Sequence, residues 1–215
     1  MLFGDNMDNI KQYFKNHPIV FMGVYTAVYF LIFSFLEATV TPRFIIHSPI
    51  DKYIPFCEYF IVPYLMWFAY VPAVLFYLVS HDRDSFWAMV KMMFVGNMLC
   101  LLLYTIFPNG VMPKRPVYAD NIFAQMVNNL YYTDTPTNVC PSIHVLDTLA
   151  AHLALVRSKT VRDIPWIKTL SFMFFILVCM STVTLKQHSI IDVFASLLLM
   201  LFLERYAYNK KAIQI

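Results

Sequence analysis

Long apolar runs separated by short polar loops dominate the hydrophobic pattern of this chain. Six runs stand out, and we expect each to form one helix: Pro18–Val40, Cys57–Val79, Ser85–Phe107, Ser142–Val156, Pro165–Leu185 and His188–Tyr206. A bilayer core of ~30 Å takes about 20 apolar residues per helix. The pattern therefore predicts an all-α, polytopic membrane protein with six transmembrane helices in a single domain, residues 1–215.

Composition supports a bilayer as the solvent. Hydrophobic residues make up 60% of the chain and charged residues only 13%, whereas soluble domains carry about 25% charged residues. The net charge is +3, and no basic patch with interleaved aromatic residues is present, which excludes nucleic acid as a partner. The first apolar run is too long for a cleaved signal peptide and no small-residue cleavage site follows it.

The distribution of lysine and arginine predicts the orientation. The larger share lies in one alternating set of segments, which includes both termini, and cytoplasmic loops carry the excess of positive charge. We therefore expect both termini in the cytoplasm and the protein in the plasma membrane. The loops at about 107–144 and 181–192 then lie on the extracytoplasmic face, with a short amphipathic helix at Asn121–Tyr131 in the first.

Three polar segments meet at this outer face and carry the candidate chemistry. They are FPNGVMPKRPVY with Lys114 and Arg115, NVCPSIHVLD with Ser142 and His144, and STVTLKQHSIID with Lys186, His188 and Asp192. Ionisable groups at membrane depth are costly and usually functional. The segments therefore predict one polar site built from three separated parts of the chain.

Each of these residue types suits a phosphate substrate. Arginine offers a planar fork for phosphate oxygens and lysine a compact charge, while a helix that begins at Ser142 presents free N–H groups to an anion. Asp192, four residues after His188, would fix the tautomer of that imidazole from one helical turn away. His144, from another span, is then placed to protonate the leaving oxygen. This division of labour needs no metal and no cofactor.

At these residues the chain resembles the type-2 phosphatidate phosphatase superfamily of membrane lipid phosphatases. The motifs of that family are K-x6-R-P, P-S-x-H and S-R-x5-H-x3-D on a six-helix core. The second is intact here at Pro141, Ser142 and His144, and the others are kept in part, at Arg115 and Pro116 and at Ser181, His188 and Asp192.

Two positions depart from the family pattern. Pro108 stands where the family has lysine, and Thr182 where it has arginine. Lys114 is the nearest substitute for the first. Lys186, four residues after Thr182, would emerge on the same side if that turn is helical. The lysine–glutamine–histidine order with C-P-S-x-H resembles the branch that includes inositol phosphorylceramide synthases.

The resemblance implies that His188 attacks the phosphorus of a lipid phosphate to give a phosphohistidine, and that His144 protonates the leaving alcohol. Charge on the transferring group would be stabilised by Arg115, Lys114, Ser142 and Lys186. We expect a metal-independent phosphatase for a phosphomonoester or diphosphate of a membrane lipid. An alcohol acceptor in place of water would make it a phosphotransferase, and the sequence leaves both open. A transporter is disfavoured because the halves show no internal repeat.

Several residues keep a second interpretation. Asp147 could tune His144 or bond a neighbouring helix, while His152, deeper in the same span, is interpreted as structural. Ser142 could act only as a helix cap, and Lys186 could anchor a helix end to lipid headgroups. Cysteine spacing indicates neither a disulfide framework nor a metal site, although a bridge between Cys57 and Cys140 is conceivable.

Overall fold

The computed structural model describes residues 2–112 and 116–209, with the backbone alone over 2–8. Lys114 and Arg115, two predicted phosphate-binding residues, lie outside the described residues. Over the described part the chain forms eight α-helices: α1 Leu2–Asn16, α2 Pro18–Thr39, α3 Ile61–His81, α4 Arg83–Ile106, α5 Ile122–Thr133, α6 Ile143–Arg157, α7 Pro165–Thr184 and α8 Ile190–Tyr208. Short 3-10 helices cover Pro49–Lys52 and Glu58–Phe60, and strands β1 (Phe44–Ile45) and β2 (Asn109–Gly110) pair in parallel.

The six predicted helices are confirmed as helices, and four of them are long and apolar enough to cross a membrane: α2, α3 with its preceding turn, α4 and α7. Helix α6 has only 15 residues, about 22 Å at 1.5 Å per residue, which is less than the ~30 Å core. Helix α8 carries Asp192, Glu204 and Arg205. The chain is thus an all-α protein with four candidate spans, and the count of six and the cytoplasmic termini stay predictions.

Helices α4 and α6 form the centre of the bundle. Helix α4 packs on α2, α3, α6 and α8, and α6 also contacts α3, α7 and α8. The two helices approach closely at Gly96, where an added Cβ would lie 2.5 Å from Leu146 Cδ2. Small residues allow such close packing between helices, and Ala150 and Ala154 of α6 are likewise fully buried. The polar first turn of α6 is therefore held at a fixed place in the bundle.

We call the end of the bundle that carries the loops at 40–60, 107–112, 116–142 and 185–189 the histidine end. Here the β1–β2 pair joins the loop after α2 to the loop after α4. The predicted amphipathic helix is confirmed as α5, whose Val127 and Leu130 pack with Ile61, Tyr64 and Leu185. Helix α1 and the two strands were not predicted, because α1 is amphipathic rather than apolar and the strands have two residues each.

At the opposite end of the bundle, Asp82 connects the turn between α3 and α4 to the turn between α6 and α7. Its buried carboxylate caps α4 through the Ser85 N–H (3.3 Å) and hydroxyl (3.0 Å). It also accepts hydrogen bonds from the Ser158 hydroxyl (3.0 Å) and the Lys159 N–H (2.8 Å). Burial alone would raise the pKa of Asp82, but these hydrogen bonds outweigh it and hold the pKa below its usual value. The α3–α4 and α6–α7 turns are thereby fixed to each other.

Replacing Asp82 with asparagine is expected to lower the free energy of unfolding by about 2–3 kcal/mol, because hydrogen bonds to a buried charged group are lost. The depressed pKa means that this contribution is complete above about pH 4 and is lost as the pH falls through the folded-state pKa. The difference between wild type and variant in thermal unfolding in detergent should therefore shrink on acidification. Asp84→Asn is the matched control: that side chain is 82% exposed in its ion pair with Lys159, and such pairs contribute about 0–1 kcal/mol.

Candidate functional site

The two predicted catalytic histidines meet at the histidine end. His144 lies in the first turn of α6 and His188 precedes α8, and their ring centroids are 6.0 Å apart. The starts of the two helices are bonded to each other, since the Ser142 N–H donates to the Asp192 carbonyl at 3.4 Å. The Ser196 hydroxyl lies 2.9 Å from the Ser142 carbonyl oxygen and 2.8 Å from that of Asp192. The imidazoles therefore share one site on a rigid support.

His188 is oriented by Asp192, as the spacing predicted. Asp192 Oδ2 lies 3.2 Å from His188 Nδ1 and accepts the Ser189 N–H at 2.9 Å. The His188 side chain is 8% exposed and that of Asp192 is fully buried. Because an ionised carboxylate only accepts hydrogen bonds, in the neutral imidazole Nδ1 carries the proton and Nε2 keeps its lone pair. Nε2 is thus the nitrogen able to act as a nucleophile.

His144 is surrounded by aromatic rings of α3 that the sequence analysis did not assign to the site. The ring centroids of Tyr64 and Trp67 lie 4.5 and 4.6 Å from its imidazole, and that of Phe68 lies 6.3 Å away. Residues 64, 67 and 68 share one helix face, but aromatic residues at helical spacing are common in apolar spans. Tyr64 is fixed by its hydroxyl, which donates to Asp134 at 2.7 Å. The rings hold the imidazole in one orientation beside His188.

The two helix starts differ in their capacity for an anion. At α8 the N–H groups of Ser189, Ile190 and Ile191 bond Asp192, Asp51 and the Ser189 hydroxyl. Among the residues that the structure describes, no side chain caps helix α6, and none forms a hydrogen bond with the fully buried Ser142 hydroxyl. Helix N-termini bind anions through free N–H groups. The start of α6, next to His144, is therefore the place where an anion fits.

Lys186 lies in a different turn from the one predicted. Helix α7 ends at Thr184, and Lys186 follows in the left-handed region with φ 57°, so the condition under which Lys186 would emerge on the same side as Thr182, a helical turn, is not met. The N–H groups of Lys186 and Gln187 bond the carbonyls of Val183 and Thr182, which is the Schellman ending of a helix. The Lys186 ammonium donates to the carbonyls of Asp51 (3.0 Å) and Ile54. Burial lowers the pKa of Lys186, and the Asp51 charge opposes this shift.

Asp147 bonds a neighbouring helix, which is one of the two roles left open for it. Its Oδ2 accepts a hydrogen bond from Asn97 Nδ2 at 3.3 Å, and the same amide donates to the Tyr25 hydroxyl at 2.8 Å. His152 Nδ1 lies 2.9 Å from the Ser171 hydroxyl, in line with its structural interpretation. These contacts join α2, α4, α6 and α7 within the bundle.

The cysteines near the site are free thiols. Neither Cys57 nor Cys140 is in a disulfide, so the conceivable bridge is not formed in this structure. The Cys140 thiol lies against Asp192, and its pKa is raised to about 12 by burial, by the Asp192 charge and by a hydrogen bond to that carboxylate. A thiolate is the reactive form of cysteine. Cys140 is accordingly a weak nucleophile beside the histidine pair.

Two residues that hold the His144 segment were missed by the sequence analysis. Asn109 is fully buried; its Oδ1 accepts the N–H groups of Val139 (3.0 Å) and Cys140 (2.8 Å), and its Nδ2 donates to the Cys140 carbonyl at 3.1 Å. Glu37 of α2 accepts hydrogen bonds from Thr135, Thr137 and Asn138. Both act over long sequence separations, and Asn109-Gly110 in the sequence is typical of an ordinary turn.

Comparisons with known proteins place no relative beside this chain: no family model, no curated protein and no solved structure matches it. Among the described residues, no group of three or more histidine, cysteine, aspartate and glutamate side chains is arranged to hold a metal ion. The geometry of the histidine pair and its surroundings is therefore what indicates a function for this chain.

Proposed function

We propose that this chain is a metal-independent lipid phosphate phosphatase that acts through a phosphohistidine. The observation that carries the proposal is the pairing of His188, hydrogen-bonded to Asp192 at 3.2 Å, with His144, whose ring centroid lies 6.0 Å away. One imidazole is oriented as a nucleophile by that carboxylate, and the other lies beside it at the start of the neighbouring helix α6. Such a pair matches the acid–base and nucleophilic roles needed for phosphoryl transfer.

The reaction runs in two balanced steps. His188 Nε2 forms a bond to phosphorus while the ester bond to the lipid oxygen breaks, and His144 gives a proton to that oxygen. Asp192 stabilises the imidazolium character that develops on His188. In the second step His144 takes a proton from water, the water oxygen bonds to phosphorus, the P–N bond breaks, and inorganic phosphate leaves.

We propose that the phosphoryl oxygens bind at the start of α6. The Ser142 hydroxyl, which has no partner within residues 2–112 and 116–209, supports this assignment, as does the lack of a side-chain cap on α6 in the same ranges. Donors placed where negative charge develops stabilise the transition state most. Arg115 and Lys114 are proposed to add positive charge from the loop that precedes Pro116. The contacts of Lys186 with the carbonyls of Asp51 and Ile54 assign it to holding that loop, with the phosphate contact expected from the sequence kept as the alternative.

An amphiphilic substrate suits a site at the ends of apolar helices. The side chains of Ile106 and Phe107, at the end of α4, are 70% and 39% exposed, and Phe44 stacks on Phe107 with ring centroids 4.1 Å apart. A lipid whose tail stays in the bilayer would bring only its headgroup to the histidines. We infer a phosphomonoester or diphosphate of a membrane lipid as the substrate, processed on the extracytoplasmic side of the plasma membrane.

Product analysis of the purified protein tests the proposal. Radiolabelled phosphatidate, phosphatidylglycerophosphate and polyprenyl diphosphate are offered with and without alcohols such as inositol, and with and without EDTA. We expect free phosphate from at least one lipid, undiminished by EDTA. A new phospholipid that forms only with an alcohol, without stoichiometric phosphate, would make the protein a phosphotransferase instead. Activity that EDTA abolishes and one metal restores would contradict the metal-free mechanism.

Replacing Ser142 with alanine is expected to separate activity from stability. The variant should lose about 10–100-fold in kcat/KM, because a donor to the transferring oxygens is removed. Its thermal unfolding temperature should be unchanged or slightly raised, since a buried hydroxyl without a partner is unfavourable. Ser196→Ala is the control: its hydroxyl is hydrogen-bonded between α6 and α8, so stability should fall. A Ser142→Ala variant that unfolds earlier and keeps full activity would show a purely structural role.

A further inference from the structure

We propose that Asp51, with Lys186, is a positioning residue for His188, so that the loop at residues 48–54 is part of the working site. This proposal rests on the proposed function. The loop lies between α2 and α3, far in sequence from the histidine motifs, and it bonds the chain on both sides of His188.

The side chain of Asp51 holds the chain that follows His188. Its Oδ2 accepts the Ser189 hydroxyl at 2.6 Å and its Oδ1 accepts the Ile190 N–H at 3.0 Å. Oδ2 also accepts the Ser48 N–H at 2.7 Å, which closes the capping box of the 3-10 helix. One carboxylate therefore fixes its own loop and the start of α8 together. Burial would raise the pKa of Asp51, but these hydrogen bonds, and the charge of Lys186, outweigh it and lower that pKa.

The backbone of the same loop holds the chain that precedes His188. The Asp51 carbonyl accepts the Lys186 ammonium at 3.0 Å, and the Ile54 carbonyl accepts it as well. Lys186 adopts φ 57°, a conformation that is unfavourable for a residue with a Cβ and that glycine would adopt without strain. Strain that persists at a site points to a function for the side chain that bears it. Here the side chain reaches a loop more than 130 positions earlier.

His188 is thus bracketed by contacts at residues 186, 189 and 190, all made by the same loop. Two further contacts restrain His188 itself: its N–H donates to the Thr182 carbonyl at 3.0 Å, and its Nδ1 lies 3.2 Å from Asp192 Oδ2. We call the contacts of this loop with Lys186 on one side of His188, and with Ser189 and Ile190 on the other, the Asp51–Lys186 bracket. Asp192 sets the tautomer of the His188 imidazole, and the bracket sets the position of the ring relative to His144. A displacement of about 1 Å of a reacting group can cost on the order of 100-fold in rate. Asp51 has no proposed contact with the substrate, so we expect its replacement to change kcat, the rate of reaction in the bound complex, and not KM.

Asp51→Asn is the test, because it keeps the shape of the side chain while removing the charge and one acceptor. We expect kcat for phosphate release from the best lipid substrate to fall about 10–30-fold with KM changed less than about twofold. The level of phosphohistidine formed in a rapid quench should fall in parallel. Glu58→Gln is the matched control, since Glu58 also bonds another loop at this end, through Asn121 at 3.2 Å, and should leave both constants unchanged.

Lys186→Met provides a second variant that leaves the Asp51 carboxylate in place. If the two residues act as one bracket, the double variant should lose little more activity than the worse single variant, because coupled residues are non-additive. A rise in KM with unchanged kcat in Lys186→Met would instead make Lys186 a phosphate ligand and overturn its part in the bracket. Wild-type kcat in Asp51→Asn, with normal folding, would overturn the proposal.

Limited proteolysis tests the bracket without any enzymatic assay. Trypsin cleavage after Lys186 should be slow in the wild-type protein and about tenfold faster in Asp51→Asn, while Glu58→Gln behaves as wild type. If the wild-type protein releases phosphate from no lipid, the proposed function fails while the proteolysis result still decides whether the bracket exists. Equal cleavage in wild type and Asp51→Asn would show that the loop does not hold this turn.

Discussion

His188→Ala is expected to abolish phosphate release from lipid phosphates, with a loss of at least about 10⁴-fold in kcat, comparable to losing the nucleophile of a catalytic triad. The variant lacks the imidazole that Asp192 orients, so no phosphoenzyme can form by the proposed path. The loss should appear in kcat, because the imidazole acts on the bound substrate rather than in its capture. Protein quenched in base after a pulse of labelled substrate should carry acid-labile phosphate in the wild type and none in the variant.

His152→Ala is the control for this experiment. His152 is also a histidine of a bundle helix, but its Nδ1 lies 2.9 Å from the Ser171 hydroxyl and it takes no part in the proposed chemistry. We expect a loss of stability of about 1 kcal/mol from the broken hydrogen bond and an activity within about threefold of wild type. Phosphate release that is the same in His188→Ala and wild type would remove His188 from the mechanism.

The spacing of residues along the sequence was sufficient to predict the local part of the site. His188 and Asp192 are four residues apart, and Nδ1 and Oδ2 lie 3.2 Å from each other although His188 precedes α8 and Ser189 is extended. Ser142 and His144 likewise follow from the start of an apolar run. Both relationships lie within a few residues of a helix start, and the start of an apolar helix is a feature that the sequence pattern indicates.

The parts that could not be predicted depend on contacts between distant segments. Asp51 and Ser189 are 138 positions apart and Glu37 and Thr137 are 100 apart; a single sequence offers no signal for such pairs. The conformation of the turn at Lys186 could not be predicted for a different reason. A left-handed Schellman ending usually contains glycine, so a lysine at this position gives no sign of the motif that it occupies.

Contacts between distant segments also explain why α6 corresponds to the shortest of the six predicted spans. Polar residues limit its apolar run at both ends. They are Ser142 and His144 at the histidine end, and Ser158, which is hydrogen-bonded to Asp82, at the other. A helix of 15 residues that is surrounded by α3, α4, α7 and α8 needs no lipid contact along its length. Nine of its residues are buried, so packing within the bundle replaces the hydropathy that a lipid-facing helix requires.

The second large effect is expected from His144→Gln, and it should depend on the leaving group. With a natural lipid phosphate the leaving oxygen becomes an alcohol of high pKa, so the proton from His144 is required and kcat should fall by about 10³-fold, within the usual range for general acid catalysis. With a nitrophenyl phosphate that carries an alkyl tail, the leaving phenolate needs no proton. The first step should then proceed at a rate within about tenfold of wild type.

The second step separates His144 from a residue that merely shapes the site. Without a base to activate water, the phosphohistidine of His144→Gln should accumulate, giving a burst of about one nitrophenol per protein followed by slow turnover. Stopped-flow absorbance measures the burst, and a quench confirms the phosphoenzyme. Since Tyr64 and Trp67 fix the ring by packing, Trp67→Ala should slow both substrates to a similar extent and show no burst. Equal losses on the two substrates in His144→Gln, with no burst, would assign the proton transfer to another group. His144 would then have only a packing role against the aromatic rings of α3.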